Sequence, residues 1–257
     1  MKIAALPLKQ YKTERKTDYS AIILEGPHAE KEVNQIVAVC RHFSHRDLEN
    51  LNCLYLGTSE YNIAEYLGHY FKEVIALDVD ESALRINRRF SLHDNIRYVC
   101  CVDGNLSIDD STIDVVICDR FYSRVDNPEE LMYEIYRVLR YNGFCYFSAY
   151  NKLSLVERHL SIPFLAWLPG WAAEILMKLS GRKGKYNNKL LTLSKLRKLV
   201  DNFWRHDYVG LIRKNPLVFQ TQDELCPKPS EAKSSGRLLK YIYPFLPLWI
   251  WVLTKKK

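Results

Sequence analysis

The stretch Asn52–Leu84 constrains this chain more than any other. An apolar run, Cys53–Leu56, meets Gly57; a helical pattern follows; and a second apolar run, Val74–Leu77, ends on Asp78. These periods predict strand, turn, helix and strand, with a carboxylate at the tip of the second strand. Open parallel sheets bind ligands outside the carboxyl ends of their strands, so Gly57 and Asp78 are expected side by side. Gly57 permits a tight turn and the close approach of a ligand to bare backbone. Asp78 follows at the interval where an acid accepts hydrogen bonds from both hydroxyls of a ribose. Together they outline a site for an adenosine-containing cofactor.

Strands and helices go on alternating beyond this unit. His28–Phe43 carries Val33, Ile36, Val37 and Cys40 at helical spacing, so an amphipathic helix leads into the first strand. Asp80, Glu81 and Ser82 open a helix over Ala83–Phe90, and Asp80 equally fits a plain helix cap. Ile96–Val102 is expected as a third strand ending on Asp103 and Gly104. Ile113–Cys118 reads as a fourth, apolar apart from Asp114, and ends at Asp119. Asn127-Pro128-Glu129-Glu130 starts a helix through Leu139, a turn closes at Gly143, and Phe144–Ala149 is a fifth strand. A short helix at Ser194–Phe203, a sixth strand at His206–Arg213 and a last strand at Leu248–Leu253 complete the pattern. Strands that are apolar throughout and alternate with helices specify a doubly wound, mostly parallel sheet of the α/β class.

The residues around these strands carry a resemblance. LYLGTSEYN is similar to the glycine-rich first motif of class I S-adenosylmethionine-dependent methyltransferases, with Gly57, Ser59 and Tyr61 where that family has three alternating glycines. Asp78-Val79 matches the second motif. The stretch from Asn95 to Asn151, including IDVVICD and NPEELMYEIYRVLRYNGF, resembles the third to fifth strands of the methyltransferase type 11 group. Arg140, Tyr141, Asn142 and Gly143 stand where that group has a Lys-Pro-Gly-Gly turn. The resemblance implies a Rossmann-like, seven-stranded sheet whose last strand, in WIWVLTKKK, inserts antiparallel beside the sixth. It implies S-adenosyl-L-methionine as cofactor, held by Gly57, Thr58, Ser59, Asp78, Val79, Asp103, Gly104 and Asp119. Asp103 would hold the adenine amino group. A nicotinamide dehydrogenase shares the glycine turn and distant acid, but has no need of acids after the third and fourth strands or of that ending.

The implied activity is methyl transfer to a small-molecule, lipid-linked or glycan-linked acceptor. The alternative is a catalytically degenerate methyltransferase-like module that binds or scaffolds, for which the missing glycines argue. Methyl transfer from a sulfonium depends on in-line positioning more than on acid or base help, so no catalytic residue is assigned. Asp119 and Tyr122 follow the fourth strand, where the resemblance implies the floor of the active site; a solvated loop is the alternative for both, and neither is assigned as catalytic. The seven histidines show no metal-ligand spacing, and no metal is expected.

Residues 1–27 form an N-terminal arm and 28–257 one methyltransferase-like domain, with a substrate-recognition or lid insertion at 151–191 and a polar, mobile connector at 222–237. Within the insertion, Trp167, Trp171 and the basic stretch Arg182–Lys189 fit either a lid packed on the domain or peripheral contact with anionic lipid. A net charge of +7 is consistent with acidic partners, but no RNA-binding motif accompanies it. Seven cysteines without CxxC spacing read as buried, reduced thiols, pointing to a cytoplasmic protein with contact, if any, at the inner membrane face. The start, MKIAALPLKQYK, lacks the apolar length of a signal peptide, and YIYPFLPLWIWVL is too short to span a bilayer.

Overall fold

The computed structural model describes residues 26–57, 63–78, 81–100, 106, 108–153, 156–157, 162–163, 190–220 and 243–256. In chain order the elements are α1 (Gly26–Phe43), β1 (Asn52–Leu56), α2 (Ile63–Gly68), β2 (Glu73–Asp78), α3 (Glu81–Phe90), β3 (Ile96–Cys100), β4 (Ile113–Asp119), α4 (Pro128–Val138) and β5 (Leu139–Tyr150). A short ribbon of β6 (Val156–Glu157) and β7 (Ile162–Pro163) follows, then α5 (Leu193–Leu199), β8 (Phe203–Asp207), α6 (Val209–Lys214) and β9 (Leu248–Lys255).

Seven strands form one sheet in the order β3-β2-β1-β4-β5-β9-β8. The first five pair in parallel, and β9 runs antiparallel to both β5 and β8. The doubly wound sheet and its inserted last strand are therefore as the sequence implies. Alternate side chains feed two cores. Leu54, Leu56, Val116, Phe147, Trp249 and Trp251 face α4 and α5, whereas Cys53, Tyr55, Val115, Ile117, Tyr146 and Ile250 face α1 and α2. With both faces covered, each fully buried aliphatic side chain contributes about 1.5–3 kcal/mol of burial, which is why these strands are apolar without alternation.

The helices start and stop for local reasons. Val33, Ile36, Val37 and Cys40 form the buried stripe of α1, which begins two residues before the expected start. Asn127 caps α4 by accepting the Glu130 N–H at 3.3 Å, and Pro128 occupies the first turn. Among the described residues no helix is long and apolar enough to cross a membrane.

Other boundaries differ more from expectation. The strand read at His206–Arg213 is β8 at Phe203–Asp207, followed by a helix. Asp207 Oδ1 accepts the Val209 N–H at 2.9 Å and turns the chain, so that Val209 and Ile212 pack inward at helical spacing. The helix expected to Phe203 correspondingly stops at Leu199. The turn expected at Arg140–Gly143 is extended backbone at the start of β5, beside a register shift on β4. Gly143 is required there because a Cβ would stand 2.8 Å from the Asp114 carbonyl oxygen.

Asp114 is the one charged residue inside the β4 run, and its side chain is buried. Its carboxylate accepts Arg46 Nη1 at 2.8 Å, Arg140 Nη1 at 2.6 Å and the Asn52 N–H at 3.0 Å. It thereby ties the segment after α1 and the starts of β1 and β5 to β4. Burial opposes its ionisation, but the Asn52 N–H and the Arg140 and Arg46 guanidinium groups outweigh burial and hold the carboxyl below its usual range. A lowered carboxylate contributes stability that is fully present above the unfolded value of about 3.9 and is lost as pH falls through the folded value. Asp114→Asn should lower stability by about 1–3 kcal/mol at neutral pH in urea unfolding. The parent should lose more stability than the variant as pH falls through that window.

Candidate active site

The parallel register brings one row of residues to the carboxyl edge of the sheet. Leu56 pairs with Leu77, and one step further the Gly57 N–H donates to Leu77 O at 2.9 Å, so Gly57 stands beside Asp78. Asp78 pairs with Cys100 on β3, and Asp119 pairs with Ser148 on β5. Continuing the β1–β4 register past Tyr55 and Ile117 places Gly57 opposite Asp119. Cys100, Asp78, Gly57, Asp119 and Ser148 thus cross five strands in a single line.

Gly57 adopts φ +91°, a conformation that side-chain-bearing residues rarely take. An added Cβ would also meet Phe121 Cδ2 at 2.8 Å, because the Phe121 ring from the turn after β4 packs against the glycine. The bare backbone and the buried Asp78 beside it fit the ribose end of an adenosine cofactor.

The β4 side of the rim is polar and tightly paired. Ser148 Oγ donates to Asp119 Oδ1, and the Arg120 guanidinium is flanked by the carboxylates of Asp119 and of Glu32 on α1. Arg120 Nη1 also donates to the Tyr150 hydroxyl at 2.9 Å, at the end of β5. The backbone of Arg120 is left-handed, at φ 56°, and is held there by bonds from its N–H to Ser148 O and Oγ at 3.2 and 3.1 Å. A non-glycine residue in this region costs about 1–3 kcal/mol, a strain that concentrates at ligand sites.

Tyr122 is not in a solvated loop, one of its two readings from sequence, but is fully buried against Phe147. The short turn after β4 folds it under the sheet rim, where burial raises its hydroxyl pKa well above the phenol range. Cys118 beneath Asp119 is likewise buried, and its thiol is pushed up to about 12, so it is no nucleophile at neutral pH. All five described cysteines are free thiols, four of them buried.

Of the residues assigned from sequence, the structure brings Gly57, Asp78 and Asp119 to one edge. Thr58, Ser59, Tyr61, Val79, Asp103, Gly104, Trp167, Trp171 and the Arg182–Lys189 stretch lie outside the described residues. Arg120, Ser148, Glu32 and Asn151 went unrecognised. Asn151 is fully buried, donates through Nδ2 to Pro244 O and Leu246 O at 2.8 Å, and accepts the Leu153 N–H. It also bridges to Leu191, which brings the two ends of the 151–191 segment together at the rim. An asparagine just after a strand was the only local signal.

Residues 54–147 match a family model described as a methyltransferase domain, of the type 11 group. Over that stretch the chain is similar to methyltransferase domains. Solved structures of this fold are similar over most of the chain. The YcgJ protein of Bacillus subtilis is 12% identical with a TM-score of 0.53, over 88% of this chain and 99% of its own. An S-adenosylmethionine-dependent methyltransferase of Mesorhizobium loti is 14% identical with a TM-score of 0.54, over 84% and 95%. The plantazolicin methyltransferase BpumL is 15% identical with a TM-score of 0.57, over 89% and 84%. At these identities the likeness is one of fold. Comparison with the curated proteins finds no match.

The Phe121 contact makes the methyltransferase glycine testable. Gly57→Ala should cost about 1–3 kcal/mol through backbone strain and overpacking. Adding Phe121→Leu should recover the steric part only, so a double-mutant cycle in urea should show coupling of at least about 0.5 kcal/mol.

Proposed function

We propose that the chain transfers the methyl group of S-adenosylmethionine to a small-molecule acceptor or to one linked to a lipid or glycan. The observation that carries this reading is the juxtaposition of Gly57, in its left-handed conformation, with the buried Asp78 across the β1–β2 register. When bound, the cofactor supplies an electrophilic methyl group on a sulfonium. Asp78 accepts from the ribose hydroxyls, and Gly57 leaves the backbone open to the ligand. The remaining work is to hold the acceptor in line, about 3–3.5 Å from the methyl carbon, in a space that excludes water. Strain at Arg120 and the fixed Asp119–Ser148 pair support the neighbouring rim as the acceptor side.

The acceptor class rests on the 151–191 insertion. Its two described ends meet at the Asn151–Leu191 bridge, beside that rim. Its tryptophans and cations suit an acceptor with an apolar anchor and anionic or hydroxyl groups.

Calorimetric titration with S-adenosylhomocysteine tests the cofactor half. The parent should bind, and Asp78→Ala should weaken binding by tenfold or more, the loss of charge-assisted hydrogen bonds worth about 1.5–3 kcal/mol. A folded variant with unchanged affinity would remove the ribose assignment. A parent that binds nothing would leave the scaffold reading, and Tyr61→Gly would then ask whether that phenol fills the pocket. Transfer of labelled methyl from S-adenosylmethionine into lipid, glycan and small-molecule fractions separates the acceptor classes.

A further inference from the structure

Two imidazoles meet at the amino-terminal edge of the sheet, at the opposite ends of β2 and β3 from Asp78. His69 follows α2 and His93 precedes β3, and their Nε2 atoms stand 3.1 Å apart with the rings nearly perpendicular, at 87°. Bonds of about 2.0–2.1 Å to one first-row divalent cation place two imidazole nitrogens about 2.9 Å apart at a right-angled centre and about 3.3 Å apart at a tetrahedral one. The observed spacing falls between these values.

The pair is held in place by neighbours that are not themselves needed as ligands. The Glu65 carboxylate on α2 accepts from Ser91 Oγ, from the Leu92 N–H at 2.9 Å and from the Tyr98 hydroxyl at 2.8 Å. Asn95 Nδ2 donates to Gly68 O and Phe71 O at 2.9 Å each. These bonds lash the segment before β3 to the end of α2. Gly68 allows the approach, since a Cβ there would lie 3.1 Å from His93 Cγ. Pre-organisation of this kind removes much of the ordering cost that a two-residue chelate otherwise carries.

We propose that His69 and His93 form a bidentate site for a late first-row divalent cation, a staple between α2 and the segment before β3. Imidazole nitrogens suit zinc, nickel and copper ions. Among the described residues no group of three or more His, Cys, Asp or Glu side chains is gathered to hold a metal, so water completes the coordination and the ion exchanges readily. In the metal-free pair one ring donates Nε2–H to the other; on binding, that ring carries its proton on Nδ1 and both Nε2 lone pairs face the ion. The site stands apart from the cofactor rim and does not depend on methyl transfer.

Nickel chloride is the probe, because thiolates compete for zinc and copper more than for nickel. At about pH 7.5, calorimetry should give one saturable nickel site per chain. The melting temperature should rise with nickel concentration, as mass action requires. His69→Gln and His93→Gln should each weaken binding by at least about tenfold, as expected when half of a chelate is lost. In the parent, paramagnetic nickel should broaden the His69 and His93 ring signals before those of the other histidines, a readout that needs no variant. Absence of saturable binding, unchanged affinity in either variant, or first broadening at another histidine would overturn the proposal.

Discussion

The hydrogen bond from the Gly57 N–H to Leu77 O is the contact on which the cofactor edge depends. It extends the β1–β2 ladder one residue past the strand and brings Gly57 level with Asp78. A slip of one residue would send every β1 side chain to the opposite face, exchanging the partners of Leu54 and Tyr55 between two well-filled cores. The apolar interior therefore enforces the register, and the register in turn aligns the polar tips. Packing far from the site decides where the site is.

The two ends of β4 show how charge is managed around that frame. At the amino end, buried Asp114 is ionised because two arginines and a backbone N–H surround it. At the carboxyl end, Asp119 is held by Ser148 and Arg120. Helix α1 is secured at both places, by Glu32 to Arg120 near its start and by Arg46 to Asp114 just beyond its end. Its apolar stripe supplies the burial energy, and the ion pairs set its position along the sheet. Exposed ion pairs contribute little by themselves, so the partial burial of these carboxylates is what makes them specific.

The carboxyl rim combines an open half and a tightly paired half. Gly57 and Asp78 lie within the stretch that matches the methyltransferase domain, where the glycine leaves bare backbone beside one buried acid. Beyond Asp119 come the strained Arg120, its bond to Tyr150, and Asn151 binding the lead-in to β9.

By itself, the sequence determined the α/β class, the central strands, helices α1 and α4, and the approach of Gly57 to Asp78. Those features rest on local periods, capping residues and strand-end acids, all of which act within a few residues of one another. Tertiary structure decided where β8 ends and α6 begins, because Asp207 turns the chain and Val209 and Ile212 then pack inward at helical spacing. It also converted the expected turn at Arg140–Gly143 into strand, since Gly143 lets β5 approach the Asp114 carbonyl. Phe121 over Gly57, Arg120 between two carboxylates and His69 against His93 were not legible in advance. Each joins residues far apart in the chain, and only the folded packing sets the distances between them.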